Sequence, residues 1–385
     1  MRKILLICLG IIIVVCLELI CRRLLPERDL NIKESINTIC REDTALLWRQ
    51  KENIDLMFQG KNVRTNSLGL RNREVTEAKN PDTLRIICLG ASLTFGWGVD
   101  QDKTYPAILE DLLKKNFPAR NAEVINAGEV GFSSYQGRIF FDGYLKKYHP
   151  DVVTVSYLLN DVDKVRFFRA EGFCDSRLPP EADWKVALKN FIADKRIYFL
   201  GKREMMRMIE KDKKKLAEIY RHQYENSSLR VLPGEYRKNL EKLAAECKAN
   251  GSSLIFIVMP ANLSLPKISA GQDGTLLSNE YYLRGKECAD SGDYSKAADF
   301  FKQALNFQVF SCKQNSRRYQ KIMKQVAGNY GMPVVDADKL FFESSVMDKK
   351  VLFNGPADVI HPSSAGHRII AEALYRCLKG SGKLK

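Results

Sequence analysis

The sequence predicts an α/β protein in which a parallel β-sheet is covered by helices. Two observations lead to this prediction: short apolar runs typical of strands recur along the chain, and segments with helical spacing of apolar residues separate them. Strands that alternate with helices in this way form parallel sheets, because each crossover helix returns the chain to the same end of the sheet. A hydrophobic fraction of 45% and a charged fraction of 28% are ordinary for a folded chain of 385 residues.

Five short apolar runs are the predicted strands. Residues 84–89 are followed by Gly90, and residues 152–157 are apolar enough to be buried on both faces of a sheet. The predicted strands are 84–89, 122–126, 152–157, 253–259 and 333–335. The predicted helices are 104–115, 137–148, 236–249, 317–330 and 364–378. Together they place the sheet domain at residues 81–161 and 236–380.

A charged and mostly helical insertion, residues 162–235, interrupts the alternation. Residues 185–221 hold 12 basic and 5 acidic residues, so much of the formal net charge of +15 is concentrated there. We interpret this segment as a solvated helix face, with attraction to an anionic lipid surface or polysaccharide as the alternative. Nucleic acid is not a predicted partner, because the sequence has no zinc-finger spacing and no basic motif interleaved with aromatic residues.

A second insertion, residues 262–315, resembles a single tetratricopeptide helix pair. The matching positions are Tyr281, Gly285, Cys288, Gly292, Asp293, Tyr294, Ala297, Phe301 and Ala304. Small residues at two of these positions would let the helices approach closely. One copy cannot form a peptide-binding superhelix. We therefore predict a helical hairpin packed beside the sheet domain, with a protein partner at this hairpin as the alternative.

The N-terminal segment, residues 1–23, predicts a membrane anchor or an uncleaved signal. Residues 4–21 are apolar except for Glu18, and basic residues flank them on both sides. A helix of this length, rising about 1.5 Å per residue, is just long enough to cross a bilayer. No small-x-small cleavage pattern lies near Cys21. We expect an anchored protein with its folded part outside the cytoplasm, in the periplasm or at the cell surface, and a linker and lead-in at residues 24–80.

A serine directly after the first predicted strand is the candidate nucleophile. It lies in Gly90-Ala91-Ser92-Leu93, at the carboxyl end of a parallel strand, where doubly wound folds place their sites. The helix that follows would direct its first N–H groups and its dipole towards an anion formed there. The alternative interpretation of Ser92 is a helix N-cap.

The candidate general base comes from a small set of histidines. The sequence contains four: His149, His222, His361 and His367. His361 follows Asp358 by three residues, a spacing at which a carboxylate in a tight turn can bond Nδ1 and leave Nε2 to accept a proton from a serine. His367, six residues further on, is expected to be a packing or capping group.

Stabilisation of an oxyanion requires hydrogen-bond donors near the serine. Gly131 follows the second predicted strand and can present a backbone N–H without a side chain in the way. Asn160 follows the third, where its amide can donate. Gly131 alone could be a turn glycine and Asn160 alone a strand-end cap, but both occur at successive strand ends, and each is a residue type that acyl transfer requires.

These motifs together resemble the SGNH (GDSL-type) hydrolase superfamily over about residues 62–160 and 236–378. The matching stretches are residues 85–96, 125–128 with Gly131, 158–161, 358–362 with 366–367, and the lead-in 66–71. The resemblance implies a three-layer αβα, flavodoxin-like fold with helical insertions. It also implies Ser92, His361 and Asp358 as catalytic residues, and Ser92, Gly131 and Asn160 as the oxyanion hole.

Two positions depart from the family's motifs, and they concern substrate preference rather than the reaction. Ala91 replaces the acidic neighbour of the serine, and Leu158 replaces a glycine before Asn160. The resemblance implies a serine esterase that cleaves an O-acyl ester on a carbohydrate or lipid. Acetyl is the expected acyl group. An O-acyltransferase acting on an exported polysaccharide is one alternative, and a non-catalytic binding or assembly protein of the cell envelope is another. No metal or cofactor is implied, and the ten cysteines form no CxxC pair.

Overall fold

The computed structural model describes residues 2–24, 36–118, 120–164, 174–260, 274–314, 316–344, 352–355, 358, 360–382 and 384. Nine strands occur in these ranges: β1 (Cys40–Asp43), β2 (Leu47–Gln50), β3 (Asp55–Phe58), β4 (Lys61–Arg64), β5 (Thr83–Gly90), β6 (Asn121–Gly128), β7 (Val152–Val155), β8 (Ser253–Val258) and β9 (Val334–Asp336). The α-helices there are α1 (Arg2–Leu24), α2 (Ser92–Phe95), α3 (Tyr105–Asn116), α4 (Ser134–Phe140), α5 (Asp183–Ala193), α6 (Arg196–Lys211), α7 (Lys213–Glu225), α8 (Pro233–Ala249), α9 (Gly274–Asp290), α10 (Tyr294–Gln314), α11 (Ser316–Asn329), α12 (Ala337–Glu343) and α13 (Ser364–Gly380).

Strands β5 to β9 form one parallel sheet in the order β6-β5-β7-β8-β9. All eight residues of β5 are buried, as expected for a central strand covered on both faces. Helices α3 and α13 pack together on the sheet, and α4, α8 and α11 form a second helical group. The predicted α/β fold is confirmed, and the strand order is the flavodoxin-like one. The order reverses between β5 and β7, so a crevice opens at their carboxyl ends.

The predicted sheet elements are present, with one internal difference. The helix predicted at 137–148 begins at Ser134, and its α-helical part ends at Phe140. Ser133 and Gln136 form a capping box there, which explains the earlier start. The chain continues through wider and tighter helical turns to Tyr148.

Residues 36–80 of the predicted linker and lead-in contain two folded hairpins, and residues 25–35 lie outside the described residues. Strands β1 and β2 form one antiparallel hairpin, and β3 and β4 form another. The Trp48 side chain is fully buried, and its Nε1 donates to the Val130 carbonyl over 2.8 Å. The Gln50 amide donates to the Gly128 carbonyl over 2.7 Å. These bonds join the first hairpin to the loop after β6, so the lead-in belongs to the sheet domain.

The two insertions, which the sequence analysis treated separately, pack on each other. Helices α9 and α10 form the predicted hairpin, and the turn between them contains Gly292 with φ +83°. A Cβ on Gly285 would lie 2.7 Å from the Phe301 ring, so this glycine permits the close helix approach. Helix α7 completes a small core separate from that of the sheet, made by Leu216, Ala217, Ala297, Ala298 and Phe301. Residues 261–273 and 315 of the predicted second insertion lie outside the described residues.

The predicted N-terminal anchor, residues 1–23, lies within the described residues except for Met1. Helix α1 extends from Arg2 to Leu24. Of the helices in the part of the chain that the structure describes, none combines the length and the apolar character that crossing a membrane requires.

His367 is a buried packing residue, in the role that the sequence analysis gave it. Its Nδ1 accepts the Tyr105 backbone N–H over 3.1 Å, and its ring stacks on the Tyr105 ring at a centroid distance of 6.1 Å. Burial, with a smaller contribution from the positive charge of Arg71, lowers the pKa of His367 to about 3. The imidazole is therefore neutral in the folded chain at neutral pH.

Acidification should destabilise the fold through His367. Between about pH 6.5 and pH 3, the unfolded chain binds a proton at this residue and the folded chain does not. The free energy of unfolding should therefore decrease as the pH falls through this range, by about 1.4 kcal/mol per pH unit from this group. The variant His367→Gln keeps an acceptor for the Tyr105 N–H but cannot titrate. Urea unfolding from pH 7 to pH 4 should show a shallower decrease in the variant, and equal slopes would contradict this assignment.

Candidate active site

The predicted serine, histidine and aspartate side chains meet at one edge of the sheet. Ser92 begins α2 directly after β5. Its Oγ lies 2.9 Å from His361 Nε2, and His361 Nδ1 lies 2.9 Å from Asp358 Oδ2. Residues 269 positions apart in sequence therefore form a continuous hydrogen-bonded series. The N-cap of α2 is Ala91 rather than Ser92, so Ser92 is not the helix cap.

A tight turn holds Asp358 in place to orient the imidazole. Its Oδ1 accepts the backbone N–H groups of Ile360 at 3.0 Å and of His361 at 2.9 Å. Burial opposes ionisation of Asp358, but the His361 ring and the two backbone N–H groups outweigh it and lower the pKa of the carboxyl. An ionised Asp358 accepts from Nδ1–H of His361, which leaves the Nε2 lone pair directed towards Ser92. Residues 356, 357 and 359 lie outside the described residues.

Two glycines let α2 approach the sheet closely enough to present the serine. A Cβ on Gly90 would lie 1.9 Å from Thr94 Oγ1, and a Cβ on Gly128 would lie 2.1 Å from the Phe95 backbone nitrogen. Neither position has space for a side chain. Arg71 of the lead-in holds the far end of α2: its buried guanidinium donates to the carbonyls of Phe95 and Gly96.

An aromatic residue that the sequence analysis missed supports the imidazole. The Trp97 ring stacks on the His361 ring with centroids 5.6 Å apart and planes inclined by 22°. Asn354 fixes this pair, since its amide donates to the Trp97 carbonyl over 2.6 Å and its backbone N–H donates to the His361 carbonyl over 3.0 Å. No local sequence pattern indicated this contact, because Trp97 and His361 lie far apart in the sequence.

A hydrogen bond connects the two predicted oxyanion residues, Asn160 and the turn at Gly131. Asn160 lines the same cleft as Ser92, and its amide donates to the Phe132 carbonyl over 3.0 Å. Phe132 follows Gly131, whose φ of +76° is a left-handed conformation that glycine adopts without strain. The structure therefore joins the Gly131 turn to Asn160 by a hydrogen bond.

A buried ion pair between Arg230 and Asp175 supports the Gly131 turn. The Arg230 guanidinium donates to the Gly131 carbonyl over 2.7 Å and to Gln136 Oε1 over 2.7 Å. It also pairs with Asp175 at 2.9 Å, and both side chains are almost completely buried. Arg230 and Asp175 belong to the basic insertion, but both lie outside residues 185–221, the segment interpreted as a solvated helix face. The sequence could not single them out, because their pairing is a tertiary contact.

Loss of this ion pair should destabilise the chain strongly. Arg230→Met would leave the Asp175 carboxylate buried without its cationic partner, and removing one partner of a buried pair typically costs about 3–5 kcal/mol. We expect a loss of that size in the free energy of unfolding, measured by urea denaturation. Arg237→Met is the matched control, because the bond of Arg237 to Gln325 lies at the surface, and its effect should stay below about 1 kcal/mol. Equal losses in the two variants would contradict the assignment.

Mostly apolar side chains form the walls of the cleft beside Ser92. Its lining residues are Ala91, Ser92, Leu93, Ser156, Leu158, Leu159, Asn160, Met259 and Ile360. The empty volume is about 320 Å³, with the open mouth included. Among the described residues, no group of three or more histidine, cysteine, aspartate and glutamate side chains is placed to hold a metal ion.

Comparison with known families identifies the chain. The model of the family described as GDSL-like lipase/acylhydrolase matches residues 86–374, which is most of the chain. The chain belongs to this family. As a GDSL-like acylhydrolase it is an SGNH-type ester hydrolase, which confirms the family and the reaction class that the motifs predicted. No curated protein sequence matches it.

Several solved hydrolase and esterase structures are similar to this GDSL-like acylhydrolase. LAE5, an α/β hydrolase enzyme from the metagenome of Lake Arreo, Spain, has 18% identity and a TM-score of 0.43, covering 78% of this chain and 96% of its own. Axe2, an acetylxylan esterase from Geobacillus stearothermophilus, has 16% identity and a TM-score of 0.42, covering 76% and 92%. The acetyl xylan esterase AlAXEase has 13% identity and a TM-score of 0.43, covering 76% and 99%.

Proposed function

We propose that the chain is an O-acyl esterase in which Ser92 is the nucleophile and His361 the general base. The observation that supports this most strongly is the 2.9 Å contact between Ser92 Oγ and His361 Nε2, with Nδ1 held by Asp358. A base whose other nitrogen is fixed by a carboxylate is the arrangement that activates a serine hydroxyl.

The proposed reaction has two steps. Ser92 Oγ attacks the ester carbonyl carbon while His361 Nε2 takes the hydroxyl proton, and the backbone N–H groups of Ser92 and Gly131 with the Asn160 amide stabilise the oxyanion. The tetrahedral intermediate collapses, His361 protonates the departing alcohol, and an acyl-serine remains. Water then attacks the acyl-serine with His361 again as base, which releases the carboxylic acid and restores Ser92.

We propose an acylated carbohydrate or lipid as substrate, with acetyl as the acyl group. The cleft beside Ser92 supports a short acyl chain, because it is small and its walls are mostly apolar side chains. Leu158 and Leu159 narrow the cleft. Leu158 lies at the position where the family's motif has a glycine.

Chain-length dependence and product analysis test this substrate. With p-nitrophenyl esters, kcat/KM should be at least about tenfold higher for acetate than for octanoate, since a long chain would clash with the apolar walls. With acetylated xylan, acetate should be released at the same rate whether or not an unacetylated oligosaccharide is added. A preference for octanoate would contradict the acetyl assignment, and acetylation of the added oligosaccharide would indicate an acyltransferase instead.

The orienting function of Asp358 gives a separate prediction. In Asp358→Asn the amide can donate to Nδ1, which favours the His361 tautomer that carries its proton on Nε2 and cannot accept from Ser92. We expect kcat to fall by about 10³–10⁴-fold at unchanged thermal stability, measured with p-nitrophenyl acetate. Asp163→Asn is the control on a nearby loop and should keep kcat within about twofold of the wild type. A kcat for Asp358→Asn equal to that of Asp163→Asn would remove Asp358 from the mechanism.

We further propose that α1 attaches the chain to a membrane, with the hydrolase outside the cytoplasm. The support is the exposure of its apolar side chains, namely Leu9, Ile12, Ile13, Val14, Val15, Leu17, Leu19, Ile20 and Leu24. The full chain should remain in the membrane fraction after an alkaline wash, and a chain lacking residues 1–24 should be released. External protease should digest the hydrolase in spheroplasts. Release of both chains by the wash would contradict the attachment.

A further inference from the structure

Helix α5 of the basic insertion has an exposed apolar face. Trp184, Leu188, Phe191 and Ile192 follow the helical spacing of i, i+4, i+7 and i+8, and their exposed fractions are 65%, 49%, 63% and 40%. Single exposed apolar residues are common on soluble proteins, whereas contiguous exposed patches mark an interaction surface. This helix face therefore requires a specific explanation.

The opposite face of α5 is fixed to the sheet domain, so the apolar face has a defined direction. The Asn190 amide donates to the Glu42 carbonyl over 2.9 Å, and Asn190 Oδ1 accepts the Glu42 backbone N–H over 2.9 Å. Lys189 pairs with Glu42 on the same side, at 3.4 Å. These bonds to β1 hold the four apolar side chains outwards.

Helix α6 extends the surface with a mixture of methionines and cations. Met205, Met206 and Met208 are exposed, and Lys202 and Lys211 are exposed on the same helix. At the α5–α6 junction, Lys195 Nζ lies 4.0 Å from the centroid of the Phe191 ring. Aromatic and aliphatic side chains accompanied by many lysines and arginines are typical of helices that lie in a membrane interface.

Glu18, the one charged residue inside the apolar N-terminal stretch, joins α1 to α6. Its carboxylate accepts the backbone N–H groups of Arg196 at 3.1 Å and of Ile197 at 3.0 Å, the first residues of α6. It also pairs with Arg22 at 2.8 Å. The carboxylate satisfies N–H groups that have no partner within the helix. This contact places α6 directly beside the carboxyl-terminal end of α1, whose apolar side chains are exposed.

We propose that the exposed face of α5 and α6 lies in the headgroup region of an anionic lipid bilayer, beside the attachment made by α1. The charge supports lipid as the occupant: residues 183–211, which contain α5 and α6, hold 8 basic and 4 acidic residues, and each lysine or arginine near an anionic surface contributes about 1 kcal/mol. Tryptophan side chains, such as that of Trp184, are enriched in the same headgroup region of a bilayer. This inference rests on the proposed attachment by α1 and is independent of the chemistry at Ser92. The contact of α5 and α6 with the bilayer would hold the active-site domain at a fixed distance from the membrane surface.

Tryptophan quenching by brominated lipids tests the proposal with the full chain. The chain has three tryptophans: Trp48 is fully buried, Trp97 is half-buried against His361, and Trp184 is exposed. In vesicles of phosphatidylglycerol and brominated phosphatidylcholine, wild-type emission should fall by up to about one third relative to unbrominated vesicles, the share of one tryptophan in three. Trp184→Phe should show no such loss. Lys185→Glu combined with Lys195→Glu should reduce the loss, because it reverses two charges that lie against the Trp184 and Phe191 rings of this face.

The outcomes separate this inference from the other proposals. If the chain floats with the vesicles but wild type and Trp184→Phe are quenched equally, the interfacial face is wrong and the attachment by α1 stands. A chain that does not float overturns both. A detergent-solubilised dimer in which Trp184 emission is shielded would assign the face to a second copy of the chain and overturn the lipid proposal. Hydrolysis of p-nitrophenyl acetate should be the same in wild type and Trp184→Phe, so the esterase proposal is tested independently.

Discussion

Replacing Ser92 with alanine is expected to lower kcat for p-nitrophenyl acetate by about 10⁴–10⁶-fold. The substitution removes the atom that forms the acyl intermediate, and no other hydroxyl takes its place against His361 Nε2 in the described residues. Ser92 is only partly buried, and the one hydrogen bond that the structure gives its Oγ is to His361. The thermal unfolding midpoint should therefore change little, which separates loss of chemistry from loss of fold.

Ser176→Ala is the matched control for this variant. The Ser176 hydroxyl donates to Glu235 at the surface, away from the cleft beside Ser92, so its removal should leave kcat within about twofold. Wild-type turnover by Ser92→Ala would place the nucleophile elsewhere. If Ser92→Ala also retained the chain's function in cells, the non-catalytic binding or assembly alternative would be favoured.

His361→Gln should have the second largest effect and should also change the pH dependence. Without the imidazole, no base accepts the Ser92 proton, and we expect kcat to fall by about 10⁴-fold or more. In the wild type, kcat/KM should decrease on acidification, because a protonated imidazole has no lone pair on Nε2. The residual rate of His361→Gln should lack this decrease.

Two ionisable groups close to the imidazole, Asp358 and His367, do not account for such a decrease. The lowered pKa of Asp358 keeps its carboxyl ionised at mildly acidic pH. His367, with a pKa of about 3, remains neutral at mildly acidic pH. The variant His367→Gln should therefore keep the wild-type pH–rate profile. An identical acid limb in wild type and His361→Gln would show that another group controls the reaction.

The sheet and the site could be predicted from the sequence for local reasons. Parallel strands buried on both faces are continuous apolar runs, as in β5, and their carboxyl ends converge in space. Polar residues that directly follow such runs therefore meet, which is why Ser92 and Asn160 could be assigned to one site. The contact between Asp358 and His361 could also be predicted, because the two residues are three positions apart in the sequence.

The features that could not be predicted depend on contacts between distant segments. Strands β1 to β4 have four residues each and several charged positions, so no hydrophobic period distinguishes them from a linker. Arg230 is one basic residue among many in its insertion, and its burial against Asp175 becomes apparent only when the Gly131 turn lies beside it. The stacking of Trp97 on His361 likewise joins residues from opposite ends of the domain.

Labelling with a fluorophosphonate tests the central claim most directly. The reagent forms a covalent phosphonyl ester only with a serine whose hydroxyl is activated by a neighbouring base. Tandem mass spectrometry of the labelled full chain should place the adduct on Ser92, with no labelling of Ser92→Ala and strongly slowed labelling of His361→Gln. An adduct on a different serine, or equal labelling of wild type and Ser92→Ala, would contradict the account.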